Sequence, residues 1–522
     1  MISGKNYIGN ELIAQGSKTY NTINPNSNTS NKTIFYEATI EEVNTAAILA
    51  SKAFEVYKNI SDLEKANFLK TIANELEAIK DELIDIYIEE SGLPNGRANG
   101  EFGRTTSQLR AFATMLKEGS WVEAIITKTE NKPDIRRMQF AIGPVAIFGA
   151  SNFPFAFSTA GGDTASALAA GCPVVVKSHP LHAGTGELVS SAIIKAVQKC
   201  NMPNGVFSNL NSSGIAVGES LVKHPLIKAV GFTGSIKAGT ALCKLAANRE
   251  EPIPVYAEMG SINPVVILPS ALKSKGAFWA TQYAGSITAG TGQFCTNPGL
   301  ILGIKDDTLD EFIKHLKETI SSIAPSCMLH PQIKSNYEEN KATLLSQEGS
   351  HAILNAVNNV PENYVLPQII TVDGAIFLEN KIYQKEVFGP FSIVVKCDDK
   401  EQLTQVLSKL EGQLTGTILN DDENELNTFK NAIEALKSRV GRLIFNGVPT
   451  GVEVCAAMTH GGPFPATSNS KFTSVGLTAV QRWVRPVSYQ DWPNALLPEA
   501  LKNENPLQIW RTVNGEITKN VL

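Results

Sequence analysis

Cysteine is scarce in this sequence. Seven are spread over 522 residues, at Cys172, Cys200, Cys243, Cys295, Cys327, Cys397 and Cys455, and no two form a C-x-x-C pair. An odd, scattered set with no histidine cluster at ligand spacing excludes a disulfide framework and a structural zinc site, so no metal is expected. An excess of one charge is also missing: 46 Lys and Arg against 51 Asp and Glu leave a net charge of −5. Such a chain exerts no general pull on phosphate backbones or anionic lipid, and neither nucleic acid nor membrane is expected as a partner. Long apolar runs are absent too. The most apolar stretches are broken by Asp163, Lys177 or proline well short of the roughly 20 residues a membrane span needs, and residues 1–20 have no apolar core of a leader peptide. A reducing, cytoplasmic setting is expected. Repeats, low-complexity tracts and Pro/Ser linkers are missing as well.

What is present is a globular composition, 43% hydrophobic and 19% charged, with 40 Gly and 26 Pro. The length implies about three to four units at roughly 150 residues each. Thr39 with Glu42, then Ser61 with Glu64, make capping-box spacings. They precede apolar residues at helical period, Val43 to Tyr57 and Leu69 to Leu83, and a third helix is expected from about Gly103 to Glu118 before Trp121. From residue 143 to 268 the texture changes. Short apolar runs, Pro144 to Phe148, Pro173 to Val176, Ala229 to Phe232 and Pro264 to Leu268, alternate with Ala-, Ser- and Gly-rich stretches long enough for helices. That alternation predicts βαβ units and a parallel sheet, whose ligands lie beyond the carboxyl ends of the strands. The segment from Trp483 to Leu522 reads as extended.

The strand exits carry polar groups. Asn152 follows the first run and Lys177 ends the second; an amide can donate to a developing oxyanion, and a lysine can hold a ribose or a phosphate. Taken alone, each reads equally well as an exposed strand-end residue. The run Val230 to Gly239 feeds a Gly234-Ser235 turn into a helix, a geometry that offers free N–H groups to a pyrophosphate, although the full GxGxxG is missing. Glu258 stands directly before a glycine turn, and Cys295 lies in the loop Gly290-Thr-Gly-Gln-Phe-Cys295-Thr-Asn-Pro298. A reactive thiol wants exposure and N–H donors, whereas Cys172 and Cys397 sit in apolar runs. A covalent acyl intermediate also needs a base that activates water for its release, which Glu258 could supply.

Together these pieces resemble the NAD(P)-dependent aldehyde dehydrogenase superfamily over nearly the whole chain. The matching motifs are Ser151-Asn152-Phe-Pro, Val176-Lys177, Phe232-Thr-Gly-Ser235, Glu258-Met-Gly, Gly292-Gln-Phe-Cys295 and Glu386-Val-Phe-Gly-Pro390, in the family's order. Gly161-Gly-Asp-Thr-Ala-Ser166, Ala170 to Lys177 and His460-Gly-Gly-Pro-Phe-Pro-Ala-Thr467 look like the branch that holds α-ketoglutaric semialdehyde (2,5-dioxopentanoate) dehydrogenases and a bacterial fatty aldehyde dehydrogenase.

The resemblance implies an α/β fold: a Rossmann-like cofactor domain (1–120 and 142–256), a second α/β catalytic domain (257–450) and a small β oligomerisation bridge (121–141 and 483–522). It implies Cys295 as nucleophile, Glu258 as base, and Asn152 with the Cys295 N–H as oxyanion donors. NADP or NAD would be held by Lys177, Ser178, Gly234, Ser235, Glu386 and Phe388. Phe153, Phe157, Phe294, Thr296, Val452 and Phe464 would line the substrate's path. The expected function is oxidation of an aldehyde to its acid through a cysteine thioester, with 2,5-dioxopentanoate as substrate and a homodimer or homotetramer as the assembly. The alternatives are a fatty or general aliphatic aldehyde dehydrogenase, a CoA-acylating dehydrogenase, which the presence of Glu258 disfavours, a cysteine hydrolase, for which His460 is the one candidate partner, and a non-catalytic binding protein. Arg104, Arg110, Thr296 and Thr450 are possible anchors for a substrate carboxylate, although both arginines fit a solvated helix face better.

Overall fold

Short, mostly apolar runs form strands that are covered on both sides. In the computed structural model, which describes residues 2–354 and 360–522, five such runs pair in parallel: Val145–Phe148, Val174–Lys177, Phe207–Leu210, Ala229–Thr233 and Val255–Glu258. The hairpin Asn6–Ile8 and Glu11–Ile13 extends the sheet antiparallel at its Phe207 edge. Alternate residues serve two cores: Val145, Ile147, Val174 and Val176 pack into one, while Ala146, Phe148 and Val175 pack into the other. The earliest of the parallel strands, Val145–Phe148, lies between Val174–Lys177 and Ala229–Thr233, so the winding reverses beside it. A crevice opens at the carboxyl ends of an open sheet where its strand order reverses. Both Gly149–Asn152 and Gly234–Ser235 leave the sheet there.

Sequence periodicity groups Pro264–Leu268 with this sheet, but the structure places Pro264–Ile267 in the interior of a second one. Leu300–Ile304 and Gln413–Leu419 flank it in parallel, followed outward by Phe391–Cys397, Gln368–Asp373 and Val440–Phe445. The turn 259–263, with Asn263 at φ 45°, passes the chain from the carboxyl end of the first sheet to the amino end of the second. A third sheet joins Ile125–Thr127, Ile135–Ala141, Val484–Gln490, Arg511–Val513 and Glu516–Thr518.

Helices Ile40–Tyr57 and Asp62–Glu77 open with the two capping boxes read from sequence, each satisfying two otherwise orphaned N–H groups. The second helix ends earlier than its apolar period, because Ile79 leaves helical backbone at φ −122° and Lys80–Ser91 starts afresh. The third expected helix runs from Asn95 to Glu118. Gly96, Gly100 and Gly103 mask its first half by their low helix propensity, and each faces open space. This helix packs on Asp62–Glu77 and on Gly162–Ala170, and it brings Arg97, Glu101 and Arg104 toward the crevice.

Candidate active site

Cys295 lies in the loop that precedes Leu300–Ile304. Gly290, Thr291 and Gly292 take φ of 54°, 60° and 65°, and a Cβ on Gly292 would overlap the Gly389 and Pro390 backbone, so only glycine fits there. The loop is tied at several points. Asn263 Nδ2 donates to the carbonyls of Cys295 and Asn297, 2.8 Å each, Thr291 Oγ1 donates to Cys327 O, and Gln293 Oε1 accepts from the Leu329 N–H. Such bracing fixes the thiol without taking up its sulfur.

Cys295 Sγ stands 3.5 Å from Nε2 of His460, and the same nitrogen is 2.9 Å from Oε1 of Glu258. Ser474 donates its hydroxyl to the other Glu258 oxygen. His460 and Glu258 are 0% and 2% exposed. Burial, and then the carboxylates of Glu258 and Glu386, push the thiol well above its ordinary value against a smaller opposing pull from Arg104. Burial also acts to raise Glu258, but the His460 imidazole and the Ser474 hydroxyl outweigh it and hold the carboxyl below its ordinary value. The resting pair is therefore a protonated thiol beside an ionised carboxylate, with an imidazole between them.

Asn152 donates one side-chain N–H to Gln293 O at 2.9 Å, and its own carbonyl accepts from Arg97 at 3.2 Å. It shares the wall of a cavity of about 970 Å³ with Thr233 to Lys237, Glu258, Cys295, Glu386 and Phe388. A second cavity of about 600 Å³ continues past Gly234 and Ser235 to Lys177, His179 and Tyr20. Ser235 caps the helix Ile236–Ala247 by accepting from the Ala238 N–H, and the remaining first-turn N–H groups face the first cavity, where an anion is favoured. Burial pushes Glu386 up to about 7 against the opposing Ser261 N–H. A Cβ on Gly260 would meet the Glu386 carboxylate, so this glycine leaves that carboxylate room beside the Glu258-Met-Gly-Ser261 turn. Burial pulls Lys177 down to about 8, with Glu37 opposing. A carboxylate acceptor, an N–H cradle and a distant buried amine, in that order, fit the hydroxyls, pyrophosphate and adenosine ribose of a dinucleotide.

Two expected placements are corrected. Ser178 lines neither cavity: its N–H continues the pairing with Leu210 O, which turns the hydroxyl under Gly186, and it is 0% exposed. Phe464 is 65% exposed. Its carbonyl accepts from the Gly412 N–H, and its side chain is not among the aromatic rings that gather near the nucleophile. The other aromatics do gather. Phe153 lies 5.1 Å from Phe157 and 5.6 Å from Phe294 between ring centroids, and Phe157 lies 6.4 Å from His460. Arg97 sits 4.4 Å from both Phe153 and Phe294, while Thr296 is buried beside the nucleophile. Thr450 Oγ1 accepts from Ser286 at 3.4 Å.

The two candidate arginines separate. Arg110 makes two 2.7 Å bonds to Glu77 on an exposed face, as the sequence favoured. Arg104 does not lie on a solvated face: Nε and Nη2 are buried, and its guanidinium lies 5.0 Å over the Phe157 ring. Sequence reasoning missed Asn263, Ser474 and Arg97 altogether and valued His460 only for a hydrolase. The His460-Gly-Gly motif was the available signal.

Comparison with known proteins bears on the same residues. Residues 12–463 match the Aldehyde dehydrogenase family. Relatives include an alpha-ketoglutaric semialdehyde dehydrogenase of Acinetobacter baylyi, 45% identical, and alpha-ketoglutaric semialdehyde dehydrogenase 2 of Azospirillum brasilense, 44% identical, each covering 99% of both chains. Similar solved folds include a 1-pyrroline-5-carboxylate dehydrogenase, with TM-score 0.81 over 93% of this chain and 92% of that one at 19% identity. Another is a betaine aldehyde dehydrogenase of Staphylococcus aureus, with TM-score 0.82 over 94% and 97% at 19% identity. With a matched segment that contains Cys295, Glu258 and both cavities, and with near-half identity along its full length, the chain belongs to the aldehyde dehydrogenase family and is an NAD(P)-dependent aldehyde oxidoreductase.

Proposed function

We propose that the protein oxidises 2,5-dioxopentanoate (α-ketoglutaric semialdehyde) to 2-oxoglutarate. The observation that carries this reading is the 45% and 44% identity, over 99% of the chain, to two relatives named for that activity. NAD(P)⁺ bound in the two cavities would supply the two-electron acceptor for the hydride that leaves the substrate carbon. Every other part falls to the chain. The thiol proton leaves to solvent in the cavity that Cys295 lines, because Nε2 of His460 already carries the proton it donates to Oε1 of Glu258 at 2.9 Å. The resulting thiolate attacks the aldehyde carbon, and the oxyanion is met by the Asn152 amide and the Cys295 N–H. After oxidation to the thioester, Glu258 with His460 removes a proton from water, which displaces Sγ and releases the acid. Glu386, beside Phe388, would accept from ribose hydroxyls, the Gly234-Ser235 turn would hold the pyrophosphate, and Lys177 would reach the adenosine ribose.

The hydrolase alternative required a histidine partner for Cys295, and His460 meets that requirement. Two adjoining cavities with a built dinucleotide cradle favour the dehydrogenase. We further place the enzyme in the cytoplasm as a homodimer or homotetramer. Supporting this are seven free cysteines, no helix among the described residues long and apolar enough to cross a membrane, and a third sheet whose outer strand Val484–Gln490 is largely open. The test is the reduced-nicotinamide absorbance with 2,5-dioxopentanoate, pentanal, hexanal and decanal. The oxo acid should give the highest kcat/KM, with an advantage over pentanal that shrinks as salt rises. Hexanal or decanal as the better substrate replaces this reading with the fatty aldehyde one.

A further inference from the structure

Three arginines approach the nucleophile, and two of them are already committed. Arg97 donates to Asn152 O and stands 3.5 Å from Glu101, clamped between Phe153 and Phe294. Arg442 donates both terminal nitrogens to the carbonyls of Pro449 and Gly451. Arg104 differs. Its Nε and Nη2 are buried without a hydrogen-bond partner, and among the described residues no other arginine has a terminal nitrogen buried and unpaired. Glu101, one turn earlier on the same helix, cannot serve it: its oxygens accept the Phe155 and Ala156 N–H groups at 2.8 and 2.9 Å and the Tyr87 hydroxyl at 2.6 Å. The ring of Phe157 covers the guanidinium face at 5.0 Å, which strips water from it without using any N–H. A buried guanidinium left unpaired is costly, and it favours a ligand that supplies the missing acceptor. The same Phe157 ring lies 6.4 Å from the His460 imidazole, whose Nε2 contacts Cys295 Sγ. One aromatic ring thus neighbours both the cation and the imidazole that touches the thiol.

We propose that Arg104 is the subsite for the substrate's distal carboxylate, a planar fork that receives the 2-oxo-carboxylate end while the aldehyde carbon lies at Cys295. This rests on the reading of the substrate as a short oxo-acid aldehyde. A neutral aldehyde of the same length leaves the guanidinium buried and unpaired, so the subsite discriminates against it as well as attracting the acid. Arg104→Met and Arg104→Lys test it, with 2,5-dioxopentanoate and pentanal as paired substrates. Arg104→Met should lower kcat/KM for the oxo acid roughly 100-fold, chiefly through KM, and change pentanal by less than about threefold. Arg104→Lys should fall between, since a point charge replaces a fork. Addition of 2-oxoglutarate should raise the melting temperature of the wild type but not of Arg104→Met. Equal loss on both substrates, or an oxo-acid preference that survives Arg104→Met, overturns the assignment and leaves the substrate reading standing. A wild type that prefers pentanal removes the substrate reading instead, and the 2-oxoglutarate shift then decides Arg104 alone.

Discussion

The two parallel sheets are built alike, each with its earliest parallel strand inside and two apolar cores on its faces, yet they meet the cavity with opposite ends. The first sheet offers carboxyl ends, where a turn and a helix start present N–H groups and the strands that end at Lys177 and Glu258 bring a cation and a carboxylate. The second offers amino ends, where the loops before Leu300–Ile304 and Phe391–Cys397 carry Cys295 and Glu386. Binding on the first side is mostly a property of the backbone, which many side chains permit. Chemistry, by contrast, is a property of a few side chains, Cys295 from the second side and Glu258 from the last strand of the first, whose protonation states depend on one another, and it should fail abruptly when one is changed.

The largest effect tests that asymmetry directly. Cys295→Ala should lower aldehyde oxidation by about 10⁴-fold or more while cofactor affinity stays within about threefold. Glu258→Gln should keep a first-turnover burst of reduced nicotinamide and then stall as an acyl-enzyme, because release of the acid has lost its base. Equal loss of the burst in both variants would erase the division of labour between them. A middling effect is expected across the sheets. Lys177→Met should raise the KM for NADP⁺ about 10- to 100-fold and that for NAD⁺ less, since the amine is the cation nearest a 2′-phosphate. No carboxylate competes at position 180, which is proline, and Glu37 is engaged by Lys18 and Ser213. NADP⁺ should accordingly serve at least as well as NAD⁺. Burial holds Lys177 down to about 8, so the charge is present below that pH and lost above it. The NADP⁺ preference should fade as pH rises through about 8, and a flat ratio of the two specificity constants across that range would remove Lys177 from the contact. The smallest effect is Arg110→Ala. Its exposed pair with Glu77 is worth about 0.2–1 kcal/mol, so kcat/KM for the oxo acid should stay within about twofold, the opposite of Arg104 two turns earlier on the same helix.

Much of the framework was legible before any coordinates. Runs such as Val174–Lys177 are mostly apolar and read as buried strands, and the capping boxes at Thr39 and Ser61 mark helix starts by chemistry local to four residues. Phe207–Leu210 and Val255–Glu258 were less visible because Ser208, Asn209 and Glu258 interrupt their apolar character. Pro264–Ile267 was seen as a strand, but its sheet was not, since no local rule says which neighbours a strand will find. The site divides in the same way. Cys295, Asn152, Lys177 and Glu258 stood out as reactive or charged groups in glycine-rich or strand-end settings. Ser178 and Phe464 misled because residue type and adjacency carry no information about the direction of a side chain.

The sequence by itself determined the elements with a local cause: the period of the helices, their caps, the covered strands, and one cysteine set in a glycine-rich polar loop. Only the tertiary structure decided which distant groups share a proton and which charge is left without a partner. Cys295, Glu258 and His460 are far apart in the chain and act on one another over a few ångströms. Arg104 and Arg110 share a helix and a residue type, and only the packing of Phe157 over one and Glu77 beside the other made one a buried unpaired cation and the other a solvated ion pair. Electrostatic energy depends on distance and burial, and neither is written along the chain.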